Sequence, residues 1–164
     1  MQEQMGQVPG IGKATKGKSL HLTLAVLKVP PGEIETVKSK TKKAVEAFMD
    51  MTESDAGFLI TCGSIRFMDH NVLALEIELG KEVCMMLRHL IEIELEPWLA
   101  DLRFSPHMSI FTNSSVAESE KRQLGESLKH RKLGCLACER VTLCTKKTEV
   151  EKSVTILECS LKAE

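Results

Sequence analysis

Apolar and polar residues alternate over residues 20–24, with His21 and Thr23 on one side of the alternation and Leu22 and Leu24 on the other, and the apolar run continues to Leu27. A period of two predicts a strand, and Pro30-Pro31-Gly32 ends it. Over residues 33–51 the period changes: Ile34, Val37, Ala44, Val45, Phe48 and Met49 recur at spacings near three and four. That is an amphipathic helix with a lysine-rich outer face. Residues 58–67 and 72–79 read as strands joined into a hairpin through Asp69-His70-Asn71. Val83, Met86, Leu87, Leu90, Ile91 and Leu95 then mark a second helix over 81–95, stopped by Pro97. Residues 104–111 are again a strand. A helix over 115–129, with Ser114 or Ser115 as its cap, follows it. Two further strands, 139–145 and 154–161, flank a turn at Lys146-Lys147-Thr148-Glu149.

Strand, helix, strand, strand thus occurs twice, with a helix linking the two runs. The pattern predicts an α+β protein of two similar lobes, each an antiparallel sheet flanked by helices. Residues 1–18, rich in Gly and Lys, are expected to be a flexible entry, and residues 19–164 one domain of two lobes. A chain of 164 residues that is 43% hydrophobic has the apolar content for a core of that size.

Charge narrows the partners. Lys and Arg number 22 against 23 Asp and Glu, a formal net charge of -1. No global basic field exists to bind long nucleic acid, so any nucleotide ligand is expected to be small or held by its end. No apolar run approaches the roughly 20 residues of a membrane span, and the first residues lack a signal peptide's apolar stretch. A cytosolic or nuclear monomer without membrane contact is the expectation. Cys62, Cys84, Cys135, Cys138, Cys144 and Cys159 are then free thiols packed as small apolar residues. Cys135-Leu136-Ala137-Cys138 has the spacing of half a zinc site or a redox pair, but no second such pair accompanies it, so no metal or other cofactor is assigned.

The chemistry lies in a repeated phrase. Leu20-His21-Leu22-Thr23-Leu24 and Pro106-His107-Met108-Ser109-Ile110 each carry a histidine followed two residues later by a hydroxyl. On a strand both polar residues share one face, and the apolar residues enter the core. Two imidazoles at neutral pH can divide the work of general acid and general base. Thr23 and Ser109 can donate hydrogen bonds to the non-bridging oxygens of a phosphate as their charge grows. This equipment suits phosphodiester cleavage without a metal. His70, His89 and His130, in a predicted turn or among charged neighbours, read as solvated residues.

These two phrases resemble the paired H-x-[ST]-x signatures of the two-histidine (2H) phosphoesterase superfamily. The longer phrase Phe104-Ser105-Pro106-His107-Met108-Ser109 is similar to the branch that includes the central domain of a kinase-A anchoring protein and a related leukocyte-receptor-cluster protein. The resemblance spans about residues 18–161. It implies a bilobal fold with two pseudo-twofold-related sheets and a central groove lined by the motif strands. It also implies metal-independent action on 2′,5′-linked oligonucleotides, 2′,3′-cyclic phosphates or RNA ends. Carried over, His21 and His107 are the acid and base, in an order left open, and Thr23 and Ser109 the phosphate ligands. Lys18 is a candidate for attracting the anion, and Phe111, two residues past Ser109, for stacking a base. Two other readings stand beside the enzyme: a nucleotide- or RNA-end-binding module without turnover, and an interaction domain of a larger anchoring or RNA-processing protein.

Overall fold

The computed structural model describes residues 13–14, 21–52, 57–68, 72–100, 103–112, 119, 123, 126–127, 134–145 and 154–162. The segments with helical periodicity form helices α1 (Ile34–Thr52) and α2 (Lys81–Leu95). Of the segment expected as a third helix, Ser119, Gln123, Glu126 and Ser127 are described, and all four are helical. The strands are β1 (Lys13–Ala14), β2 (Phe58–Met68), β3 (Val72–Leu79), β4 (His107–Thr112), β5 (Cys135–Cys138), β6 (Arg140–Cys144) and β7 (Thr155–Ser160). The class is α+β, as the alternating periods predict. The turn at Asp69-His70-Asn71, His130, and the turn at 146–149 lie outside the described residues.

Two departures have clear local causes. Lys13–Ala14, inside the stretch expected to be flexible, pairs with Thr112 and Phe111 as β1. Of the strand expected over 20–27, the described residues 21–27 are not one continuous strand: Leu22 pairs with Met108 and Leu27 with Leu99, because the segment changes neighbour along its length.

The chain divides into two compact units. The first, residues 1–23, 60–81 and 105–136, holds a five-stranded sheet in the order β1-β4-β3-β2-β5, in which β1, β4, β3 and β2 pair antiparallel. Its apolar face buries Ile60, Cys62, Ile65, Leu73, Leu75, Ile77 and Met108. The second unit, residues 24–59, 82–104 and 137–164, holds α1, α2 and the antiparallel β6–β7 pair. There Val37, Ala44, Val45 and Phe48 of α1 meet Leu87, Ile91 and Leu95 of α2, and Trp98, Val141 and Leu161 complete the cluster. Phe48 meets Phe58 edge to face, with ring centroids 5.7 Å apart. Neither unit corresponds to one half of the sequence. The hairpin of the first run pairs with the motif strand of the second, and α1 of the first run packs on β6 and β7 of the second.

The cysteines divide. Cys62 and Cys84 are buried as expected, whereas Cys135 and Cys144 are exposed and Cys138 and Cys159 half-buried. The correction follows from β5, an edge strand whose two faces both lack a covering layer over Cys135, Leu136 and Ala137. All six thiols are free.

Candidate active site

β4 begins at His107 and carries the second motif; the first lies beside it on the edge away from β3. The Leu22–Met108 bridge is antiparallel. This register sets His21 across from Ser109 and Thr23 across from His107. Since Met108 is 4% exposed and lies on the core side, residues one step either way point to the opposite face. His21 and Thr23 are accordingly exposed, and His107 and Ser109 half-buried. All four lie in the first unit. The structure therefore brings together the four motif residues singled out from the sequence.

The spacing follows from strand geometry. Directly opposed residues have Cβ atoms about 4.5–5.5 Å apart and diagonal neighbours about 7–8 Å. His21 and His107 are the diagonal pair, which leaves room for a tetrahedral group between their rings, while Thr23 and Ser109 occupy the other diagonal. The His107 ring is oriented by its own backbone: Nδ1 lies 2.7 Å from the carbonyl oxygen of Ser105. A carbonyl can only accept, so Nδ1 carries the proton and donates. Nε2 is then the nitrogen left to exchange a proton with a ligand. Pro106, buried between Ser105 and His107, stiffens the approach to this bond.

One residue of this face escaped the sequence reading. Glu76 of β3 is the register partner of His107, and its Oε2 accepts a 2.7 Å hydrogen bond from the Ser64 hydroxyl of β2. The signal for it was present in Leu75-Glu76-Ile77-Glu78, whose alternation puts both carboxylates opposite the buried Leu75 and Ile77. Gly63 belongs to the same pattern, for the Glu78 side chain fills the space that a Cβ there would take. The other predicted contributors are not placed. Phe111 pairs through its backbone with Ala14 and Leu73, but its side chain, like the whole of Lys18, lies outside the described residues. His89 is exposed on α2, 3.9 Å from Glu92, as expected of a solvated residue.

Among the described residues, no cluster of three or more His, Cys, Asp or Glu has the arrangement of a metal site. Also among these residues, no helix is long and apolar enough to cross a membrane. An open depression lined by Glu139, Arg140, Glu158, Ser160 and Lys162 lies on the β6–β7 pair and includes neither motif histidine. Its charges are already paired, Arg140 with Glu158 at 3.2 Å and Lys162 with Glu139 at 2.7 Å.

No family model and no curated protein matches the chain. Solved structures do. E. coli LigT complexed with 3′-AMP superposes with a TM-score of 0.68 at 15% identity, over 98% of this chain and 87% of LigT. The LigT complex with NADP+ gives 0.68 at 16% identity, over 99% and 91%. A protein described as a phosphoesterase gives 0.62 at 16% identity, over 99% and 92%. Likeness at such identities speaks to architecture alone: the chain has a LigT-like fold.

Proposed function

We propose that this protein is a phosphodiesterase that uses His21 and His107 as its general acid and base on a nucleotide or RNA-end phosphate, without a metal. The observation that carries the reading is the Leu22–Met108 register, which supports two imidazoles and two hydroxyls sharing one face, His21 and Thr23 exposed and His107 and Ser109 half-buried. LigT has been seen with 3′-AMP and with NADP+, ligands that share a nucleoside phosphate, and the same ligand chemistry suits this face.

On a 2′,3′-cyclic phosphate, one imidazole removes a proton from water as its oxygen bonds to phosphorus. The other delivers a proton to the ribose oxygen as the P–O bond breaks. The product is a phosphomonoester, and the two rings end with their protonation states exchanged. Thr23 and Ser109 donate to the non-bridging oxygens, whose negative charge increases in the transition state. A 2′,5′-linked oligonucleotide presents the same phosphorus and the same leaving oxygen chemistry.

The test is a panel of 2′,3′-cyclic nucleotides, 2′,5′-oligoadenylate and uridine-tailed RNA, each assayed with and without EDTA. Turnover of at least one substrate should survive chelation and follow a bell-shaped pH profile. His21→Ala and His107→Ala should each lower kcat by about 10²–10⁴-fold. Loss of activity on chelation with recovery on adding zinc or magnesium rejects the mechanism. Nucleotide binding without turnover of any panel member rejects the enzyme in favour of a binding module.

A further inference from the structure

Arg88 lies on the buried side of α2 among Cys84, Leu87, Ile91 and Leu95, and is 2% exposed. A cation in such a place is costly unless its donors are occupied. Its Nη1 donates to the carbonyl oxygen of Leu24 at 2.6 Å, and its Nε to Oε1 of Glu92 at 2.8 Å. The guanidinium carbon stands 5.6 Å from the centroid of the Phe104 ring.

Two of these contacts flank the motifs in sequence. Leu24 directly follows Thr23. The segment pairs with Met108 at Leu22, then with residues 98–100 from Val26 onward, where Val26 accepts from Ala100 and Lys28 donates to Trp98. The Leu24 carbonyl falls between these two ladders, and the guanidinium meets it there. Phe104 immediately precedes Ser105, whose carbonyl holds the His107 ring. One planar fork thus grips the exit of the first motif and the approach to the second. Lysine, a single point donor, does not combine both contacts with the bond to Glu92.

We propose that Arg88 is a positioning residue for both motif histidines, fixing His21 through Leu24 and His107 through Phe104. The kinetic part of this inference rests on the phosphodiesterase reading; the structural part does not. The experiment compares wild type, Arg88→Met, Arg88→Lys and Glu92→Gln by thermal unfolding, by kcat and KM on a 2′,3′-cyclic nucleotide, and by imidazole ¹⁵N spectra of the two histidines.

Folded Arg88→Met should shift the ring resonances of both His21 and His107. It should also lower kcat by about 10²-fold, the scale of an ångström of misplacement, with a smaller change in KM. Arg88→Lys, keeping one donor for Leu24, should recover part of the loss. Glu92→Gln, keeping an oxygen for Nε, should leave kcat near wild type. Unshifted ring resonances in folded Arg88→Met overturn the proposal, as does a lowered melting temperature with kcat intact. If Arg88→Met fails to fold, Arg88→Lys decides: wild-type spectra and kcat there overturn it equally. A wild-type protein that turns over nothing on the panel defeats the reaction, and Arg88 is then judged on the ring spectra alone.

Discussion

Cys84 and Cys135 belong to one chain and have opposite fates. Cys84 has no exposure, and burial, reinforced by the neighbouring Cys138 thiol, pushes its pKa up to about 12. The thiolate is the nucleophile, so native Cys84 should be inert to iodoacetamide near neutral pH while exposed Cys135 is alkylated. Peptide mass spectrometry after a brief native pulse checks this; a labelled Cys84 contradicts it. Nor can Cys135 and Cys138 bridge one another as they stand. Three steps along a strand separate their Cα atoms by about 10 Å, beyond the roughly 7 Å a disulfide spans. The sequence could show the CxxC spacing but not that it lies on a strand, where that spacing sends the two thiols to opposite faces. For His21, Thr23, His107 and Ser109 the reverse holds: alternation with Leu22 and Met108 carries the face directly, so the motif could be read before the fold was known. Arg88 was hidden because its periodicity places it inside and its charge argues for solvent. The Leu24 carbonyl, the Glu92 carboxylate and the Phe104 ring explain why periodicity prevails.

At the level of elements, α1 and α2 were legible because each buries a mostly apolar stripe at helical spacing, broken by Thr41 in α1 and by Arg88 in α2. What ties them at the surface was not. Glu94 of α2 accepts from Lys43 at 2.6 Å and from Lys40 at 3.3 Å, both on α1. The hydrogen bond from Lys43, with Lys40 adding to it, holds the Glu94 carboxyl below the usual carboxylate range. A carboxyl with a lowered folded-state pKa stabilises above its unfolded pKa, and that contribution fades as pH falls through the folded value. Glu94→Gln should therefore melt below wild type at neutral pH, and the gap should close as pH drops below about 4. A gap that widens on acidification refutes the assignment. Beneath this tie, truncating Phe48 to alanine removes an aromatic that is 2% exposed and should cost about 3–5 kcal/mol in denaturant unfolding. β5 went unread because four residues of an exposed edge strand leave no hydrophobic alternation. Its neighbour Gly57 still feels it: at φ 73, a Cβ would run into the Cys138 carbonyl oxygen. Gly57→Ala should destabilise by more than the roughly 1–2 kcal/mol of left-handed strain alone, measurable by the same denaturant titration.

For the whole molecule, the repeat of strand, helix, strand, strand foretold the elements but not their partners. Periodicity records which side of a segment is apolar; it is silent on which distant segment will cover that side. The first unit needs residues 60–81 and 105–136 together, and the second needs 24–59 together with 137–164. A fragment ending at residue 100 keeps both helices but lacks β4, β6 and β7, so neither unit can close. Far-ultraviolet circular dichroism and proteolysis should find it largely unfolded; a cooperative melting transition would show that the two runs are separable after all. The same interleaving bears on synthesis. Leu161, 1% exposed, belongs to the second core, and its amide donates to the Glu139 carbonyl. On the ribosome, α1 and α2 emerge long before that residue, and their apolar stripes wait in a nascent chain that cannot yet bury them. Native closure of the second unit therefore waits until residue 161 has emerged, and the interval before it is when the chain is most open to chaperones and to aggregation.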